Sequence, residues 1–180
     1  MTNSSKPCFI FLAGVHGAGK SHLCQTAFEP AGFHCVSASS IIRSAKGDVG
    51  NNKTVAAVDS NQQKLLCGLA FLKSSHRRLI LDGHFVLLRP NREFECIESS
   101  VFRALNPDAI MLIKADPELI ADRLASRDAT IWNSEFVARF QDCEIKHATR
   151  VAADLMIPLH VVATPEEALQ SISTNFQQLS

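Results

Sequence analysis

Apolar and polar positions in this chain come in blocks rather than singly. Short runs rich in apolar residues, at Cys8–Ala13, 33–37, Arg78–Asp82, Ala109–Ile113 and 159–163, read as strands. A run such as Ala109–Ile113, apolar at every position, suits a strand covered on both faces. Between these runs the spacing turns helical. A first helix is expected over 21–28, stopped before Pro30, and a second over 39–46, ended by Gly47. A longer one follows over about 58–73, with Val58, Leu65, Leu69 and Leu72 on one face. Asp116-Pro117-Glu118 is a strong helix start, with a capping carboxylate, proline at the first helical position and an acidic first turn. That helix ends near Arg127 and Asp128; Ser134 can cap another reaching about Asp154. Thr164-Pro165-Glu166-Glu167 opens a closing helix with Leu169, Ile172, Phe176 and Leu179 as its apolar stripe. Two stretches resist this reading. Residues 47–54 carry turn chemistry and predict a mobile loop; 85–98 hold a Pro90-Asn91 loop signal, with a helix over 97–105. Strands alternating with helices imply right-handed crossovers and a parallel sheet, an α/β fold.

The chemistry begins where the first strand ends. Gly14-Val15-His16-Gly17-Ala18-Gly19-Lys20-Ser21 fits G-x-x-x-x-G-K-[ST], the phosphate-binding P-loop, in its strand-before, helix-after setting. Glycines let the backbone fold tightly, so that successive N–H groups converge on phosphate oxygens. Gly14, His16, Gly17, Ala18, Gly19, Lys20, Ser21 and His22 are therefore the nucleotide-binding candidates, although the rings of His16 and His22 gain no role of their own. Lys20 would reach the β- and γ-phosphates, the Ser21 hydroxyl would ligate Mg²⁺, and the helix start adds its positive end. Such a ligand belongs at the carboxyl ends of the strands.

Length and charge narrow the class. The 180 residues fit one domain, 1–180, with enough chain for a real core. Eighteen basic residues balance 18 acidic ones, which leaves no electrostatic footprint for long nucleic acid. Cys8, Cys24, Cys35, Cys67, Cys96 and Cys143 form no C-x-x-C pair and read as reduced, small apolar residues. Residues 1–7 lack the apolar core of a signal peptide, and the longest apolar runs fall far short of a membrane span. The expectation is a cytoplasmic protein with a small-molecule nucleotide substrate and no membrane partner; nothing in the sequence argues for a protein partner.

Three further groups carry alternatives. Asp82 ends an apolar strand, where it can support P-loop Mg²⁺ through water or simply cap a turn. Gly83 follows, where an ATP-driven motor would carry a water-activating glutamate. His84 completes Asp-x-His and is either a structural residue or part of the chemistry, whereas His160 reads as core. Arg123 and Arg127 lie one helical turn apart, suited to transition-state charge or to the helix dipole. Residues 128–133 could close as a lid. Arg139, Lys146 and Arg150 share one helix face, toward phosphates or toward water, and Trp132 could stack on a base or pack.

Together the P-loop, Asp82-x-His84 and Arg123-Leu-Ala-Ser-Arg127 resemble the nucleoside monophosphate kinase superfamily, especially the archaeal-type adenylate kinases and their eukaryotic nuclear relative. GVHGAGKS, Ser40-Ile41-Ile42-Arg43, LILDGH and the run PDAIMLIKADPELIADRLASRD carry the likeness. The resemblance implies a P-loop NTPase three-layer fold: a central five-stranded parallel sheet with helices on both faces, an acceptor-binding flap in 38–75 and a short lid in 127–135. By it, Arg43 would hold the acceptor's α-phosphate, with Ser39 and His84 beside the acceptor. Arg123 would lie over the donor adenine, and Arg127 would reach the transferred group. The D-G-F-P-R run of the widespread adenylate kinases is absent; here Asp82-Gly83-His84-Phe85-Val86 stands, with Arg89 the nearest arginine, and the lid has no cysteine cluster. The reading is ATP- and Mg²⁺-dependent phosphoryl transfer to a nucleoside monophosphate, AMP or dAMP first, with catalytic residues Lys20, Asp82, His84 and Arg127. Its rivals are a kinase of another small acceptor, such as a sugar or nucleoside, and an ATP-binding or ATPase module serving a partner. A GTPase fits poorly: the D-x-x-G glycine is missing, and Asn52-Lys53-Thr54-Val55 lacks the final aspartate of N-K-x-D and comes too early.

Overall fold

The computed structural model describes residues 8–45, 55–128 and 132–176. Along the chain run β1 (Cys8–Ala13), α1 (Lys20–Leu23), β2 (His34–Ser37), α2 (Ala38–Ser44), α3 (Val55–Ser75) and β3 (Arg78–Asp82). Then come β4 (Val86–Leu88), β5 (Phe94–Cys96), α4 (Ser99–Leu105), β6 (Ala109–Ile113), α5 (Pro117–Asp128), α6 (Ser134–Leu155), β7 (Leu159–Val162) and α7 (Pro165–Phe176). The central sheet has five strands in the order β2-β3-β1-β6-β7, every pair parallel. Helices cover both faces, so β1 and β6 are buried along their whole length, as continuous apolar runs require. Register does the positioning. Leu12 and Ser37 both pair with Asp82, and Ala13 with Leu112. Four strands therefore release their chains at one rim. Beneath it Phe11, Phe85 and Phe102 pack with ring centroids 4.4 to 5.3 Å apart.

Most expected elements are present, with instructive differences. The first helix starts at Lys20 but widens after Leu23 into a π-helical stretch, Cys24–Phe28, closed by Glu29 N–H donating to the Cys24 carbonyl at 2.9 Å. The α6 cap is Asn133 rather than Ser134: the Asn133 side-chain amide oxygen accepts from the Phe136 N–H at 3.0 Å. Residues 85–98 form an antiparallel β4–β5 hairpin, its exit held by the Ile97 N–H donating to the Phe85 carbonyl, and α4 begins at Ser99. Strands of three residues are too short to display a period of two, and the turn uses Arg92 at φ 63° where glycine would have marked it. Among the described residues of α7 the buried position is Ala168, while Leu169 is 36% exposed. The expected loop 47–54 and Leu179 lie outside the described residues, as do 129–131 of the lid. All six cysteines are unbridged. Among the described residues no helix is long and apolar enough to cross a membrane.

Candidate active site

The loop leaving β1 is shaped by what its glycines allow. Gly14 sits at φ 144°, and a Cβ there would stand 2.9 Å from the Ile113 carbonyl oxygen. With that approach made, Lys20 folds back beneath the loop. Its ammonium donates to the carbonyls of Gly14 at 2.6 Å and Val15 at 3.2 Å, and lies 3.8 Å from an Asp82 oxygen. Lys20 is only 7% exposed, and burial lowers its affinity for a proton, against the pull of Asp82 and Glu144. Burial likewise raises Asp82, which Lys20 and His84 restrain. A lysine held by nothing stronger than two carbonyls and one carboxylate is poised to exchange them for phosphate oxygens. The loop could thus hold phosphate. Ser21 stands exposed at the next position.

His84 lies on the chain leaving β3, where its ring meets that of His16 at 4.3 Å. Burial and Lys20 hold the imidazole near pKa 4, against the opposing effects of Asp82 and a hydrogen bond to the Gly14 backbone, so it is neutral at pH 7. Its Nδ1 lies 3.5 Å from Glu144 of α6, a carboxyl with no exposure. The other Glu144 oxygen accepts from the N–H groups of Phe85 and Val86, both at 2.7 Å. Burial pushes this carboxyl up to about 7 despite those two donors.

Over the loop, the Arg123 guanidinium donates to the Gly17 carbonyl at 3.1 Å, and Arg127 follows one turn on. Both line a cleft of ≈ 1860 Å³ that runs from the P-loop past Asp82 and His84. Its far wall is made by Ser39 and Ile42 of α2, Asn61, Gln62 and Leu65 of α3, and the β4–β5 hairpin. Across the hairpin, Arg89 is paired with Glu95.

Residues 13–135 match the AAA domain family. The chain belongs to that family. No curated protein matches the sequence. Its fold is shared with solved structures of low identity. A gluconokinase from Sinorhizobium meliloti 1021 aligns at TM-score 0.54 and 15% identity, over 97% of both chains. The tunicamycin resistance protein of Deinococcus radiodurans aligns at 0.58 and 14%, over 94% of this chain and 95% of the other. A sugar kinase from Janibacter sp. HTCC2649 aligns at 0.51 and 12%, over 96% and 95%. The architecture is therefore the P-loop NTPase fold expected from the sequence.

In this AAA-family chain the cleft gathers His16, Gly17, Ala18, Gly19, Lys20, Ser21, His22, Ser39, Asp82, His84, Arg123 and Arg127, with Gly14 directly below. Arg43 is not among its lining residues: it is exposed on the last turn of α2. Arg139, Lys146 and Arg150 are exposed on the solvent face of α6. Trp132 packs under Arg92 and beside Phe136, away from the cleft. His160 is half-buried on β7 rather than in the core. Sequence reasoning missed Glu144 and its neighbours Gln141 and His147, although a signal was there. These polar residues interrupt the stripe of Val137, Phe140, Ala148 and Val151 that α6 buries. It also missed Asn61, Gln62 and the hairpin, which only tertiary packing brings to the cleft.

Proposed function

We propose that this chain is an ATP- and Mg²⁺-dependent phosphotransferase acting on a small acceptor, with a nucleoside monophosphate, AMP or dAMP, as the first candidate. The observation that carries the reading is the buried Lys20, restrained by two carbonyls and Asp82, on the floor of a ≈ 1860 Å³ cleft. A single small ligand fills about 300–1,000 Å³. The space suits a donor and an acceptor side by side. Lys20 and the loop N–H groups would hold the donor's phosphates, and Arg123 and Arg127 would meet charge as it spreads in the transition state. Ser21, and Asp82 through water, would hold Mg²⁺, which neutralises charge on the β- and γ-phosphates. An acceptor phosphate is already anionic, so alignment and charge suffice without a general base. In this reading 38–75 is the acceptor-side flap and 127–135 the lid.

A hydroxyl acceptor such as a sugar is the second reading, and one observation favours it. On the described far wall, Ser37, Ser39, Asn61 and Gln62 offer neutral hydrogen bonds, Arg89 is paired with Glu95, and Arg43 stands outside. A gluconokinase and a sugar kinase among the fold's relatives agree with it. In this reading Asp82 would take the hydroxyl proton. Incubation with MgATP and a panel of nucleoside monophosphates, nucleosides, hexoses and gluconate decides. Paired diphosphates support the first reading and a phosphorylated sugar the second. ADP released at one rate with or without any acceptor points instead to an ATPase module.

A further inference from the structure

Helix α6 buries three polar side chains on successive turns, and each grips main chain leaving a different strand end. Gln141 exchanges two hydrogen bonds with Ala115, at 3.0 and 2.8 Å, beyond β6. His147 meets the Ile97 carbonyl at 2.6 Å, beyond β5. Glu144 takes the chain beyond β3, with one oxygen accepting both the Phe85 and Val86 N–H groups at 2.7 Å. Its second oxygen and Nδ1 of His84 are each buried without a hydrogen-bond partner, yet they face one another at 3.5 Å. Burying a carboxyl completely is costly unless both oxygens are used. The His84 ring is the polar group that faces the second oxygen. The His84 ring then reaches the P-loop itself, meeting the His16 ring at 4.3 Å.

We propose that Glu144 is a positioning residue for phosphoryl transfer: anchored by the Phe85 and Val86 N–H groups, it holds His84 against the P-loop, and through that ring Asp82 and Lys20 keep one spacing. The role rests on the phosphotransferase reading above. Reach is what the site demands. An aspartate at position 144 is one methylene too short to keep both main-chain bonds and the approach to His84. Glutamine has the full reach, with an oxygen for the two N–H groups and an amide for the ring.

The test compares wild type, Glu144→Asp and Glu144→Gln, each with His84 intact and with His84→Ala. MgATP turnover is followed with AMP, with gluconate and without acceptor, alongside MgADP affinity and the ring-nitrogen NMR signals of His84. E144D should lower kcat by about tenfold or more while MgADP affinity changes by less than about threefold. E144Q should recover kcat to within about threefold of wild type. With His84→Ala, E144D should change kcat by less than about twofold, because residues acting through one another are not additive. E144D should also displace the His84 ring-nitrogen signals. Equal losses with and without His84, or unmoved ring signals, overturn the proposal. If wild type turns over no MgATP under any condition, the phosphotransferase reading fails by itself. The ring signals, recorded with MgADP, then still decide whether Glu144 holds His84, as they do if His84→Ala abolishes turnover.

Discussion

At the scale of single residues, the candidate site depends on what occupies very small spaces. Lys20 is the clearest case, since its ammonium is held by two carbonyls of the loop that would cradle phosphate and by Asp82 at the end of β3. Lys20→Ala should therefore cut MgATP turnover by about 10²–10³ while leaving the circular dichroism spectrum unchanged. Unaltered turnover would remove the P-loop from the mechanism. Gly83 is set by packing. A Cβ there would lie 2.6 Å from Cζ of Phe11, a ring already wedged against Phe85 and Phe102. Gly83→Ala should lower stability by about 1–3 kcal/mol, read from urea denaturation, because the aromatic cluster has nowhere to move. The glycine after Asp82 thus has a steric reason to be there. Sequence identified both residues; only the structure supplied the reason for the second.

At the scale of elements, the β4–β5 hairpin is the piece least legible in the sequence and the one that most alters the cleft. It is anchored through aromatic faces rather than a ladder of many bonds. Phe94 stacks on Phe140 at 5.0 Å, and Arg92 lies over Phe136 at 4.4 Å with Trp132 beyond. Phe94→Ala should cost about 2 kcal/mol, a half-buried aromatic's share of burial and stacking. It should also red-shift the emission of Trp132, the only tryptophan in the chain. A loss of stability with unchanged emission would separate the hairpin tip from the start of α6. By contrast the start of α5 was readable, because Asp116 and Pro117 act locally: the Asp116 carboxylate accepts from the Glu118 N–H at 2.8 Å.

At the scale of the molecule, two buried groups pull stability against pH in opposite directions. Glu144 is raised from 4.5 to about 7, so its contribution is full below pH 4.5 and is lost as pH rises to 7. His84 is lowered from 6.5 to about 4, so its contribution is full above pH 6.5 and is lost as pH falls to 4. Each is on the order of 3 kcal/mol across its window. Between pH 4.5 and 6.5 they offset one another. Glu144→Gln removes only the first, so thermal midpoints of that variant should climb more steeply with pH over this range than those of wild type. Parallel profiles would mean that the carboxyl ionises equally in the folded and unfolded chains.

The sequence by itself determined the alternation of strands and helices, the P-loop, the Asp82 carboxylate at a strand end and the Arg123–Arg127 pair. Each is written in neighbouring residues through local steric rules, turn chemistry or a fixed helical spacing. The order β2-β3-β1-β6-β7, the hairpin, the exposed place of Arg43 and the meeting of Glu144 with His84 were decided only by tertiary structure. Glu144 and His84 are far apart along the chain. Whether a carboxyl on a helix faces solvent or a loop depends on which surface that helix buries against the sheet, and packing settles that.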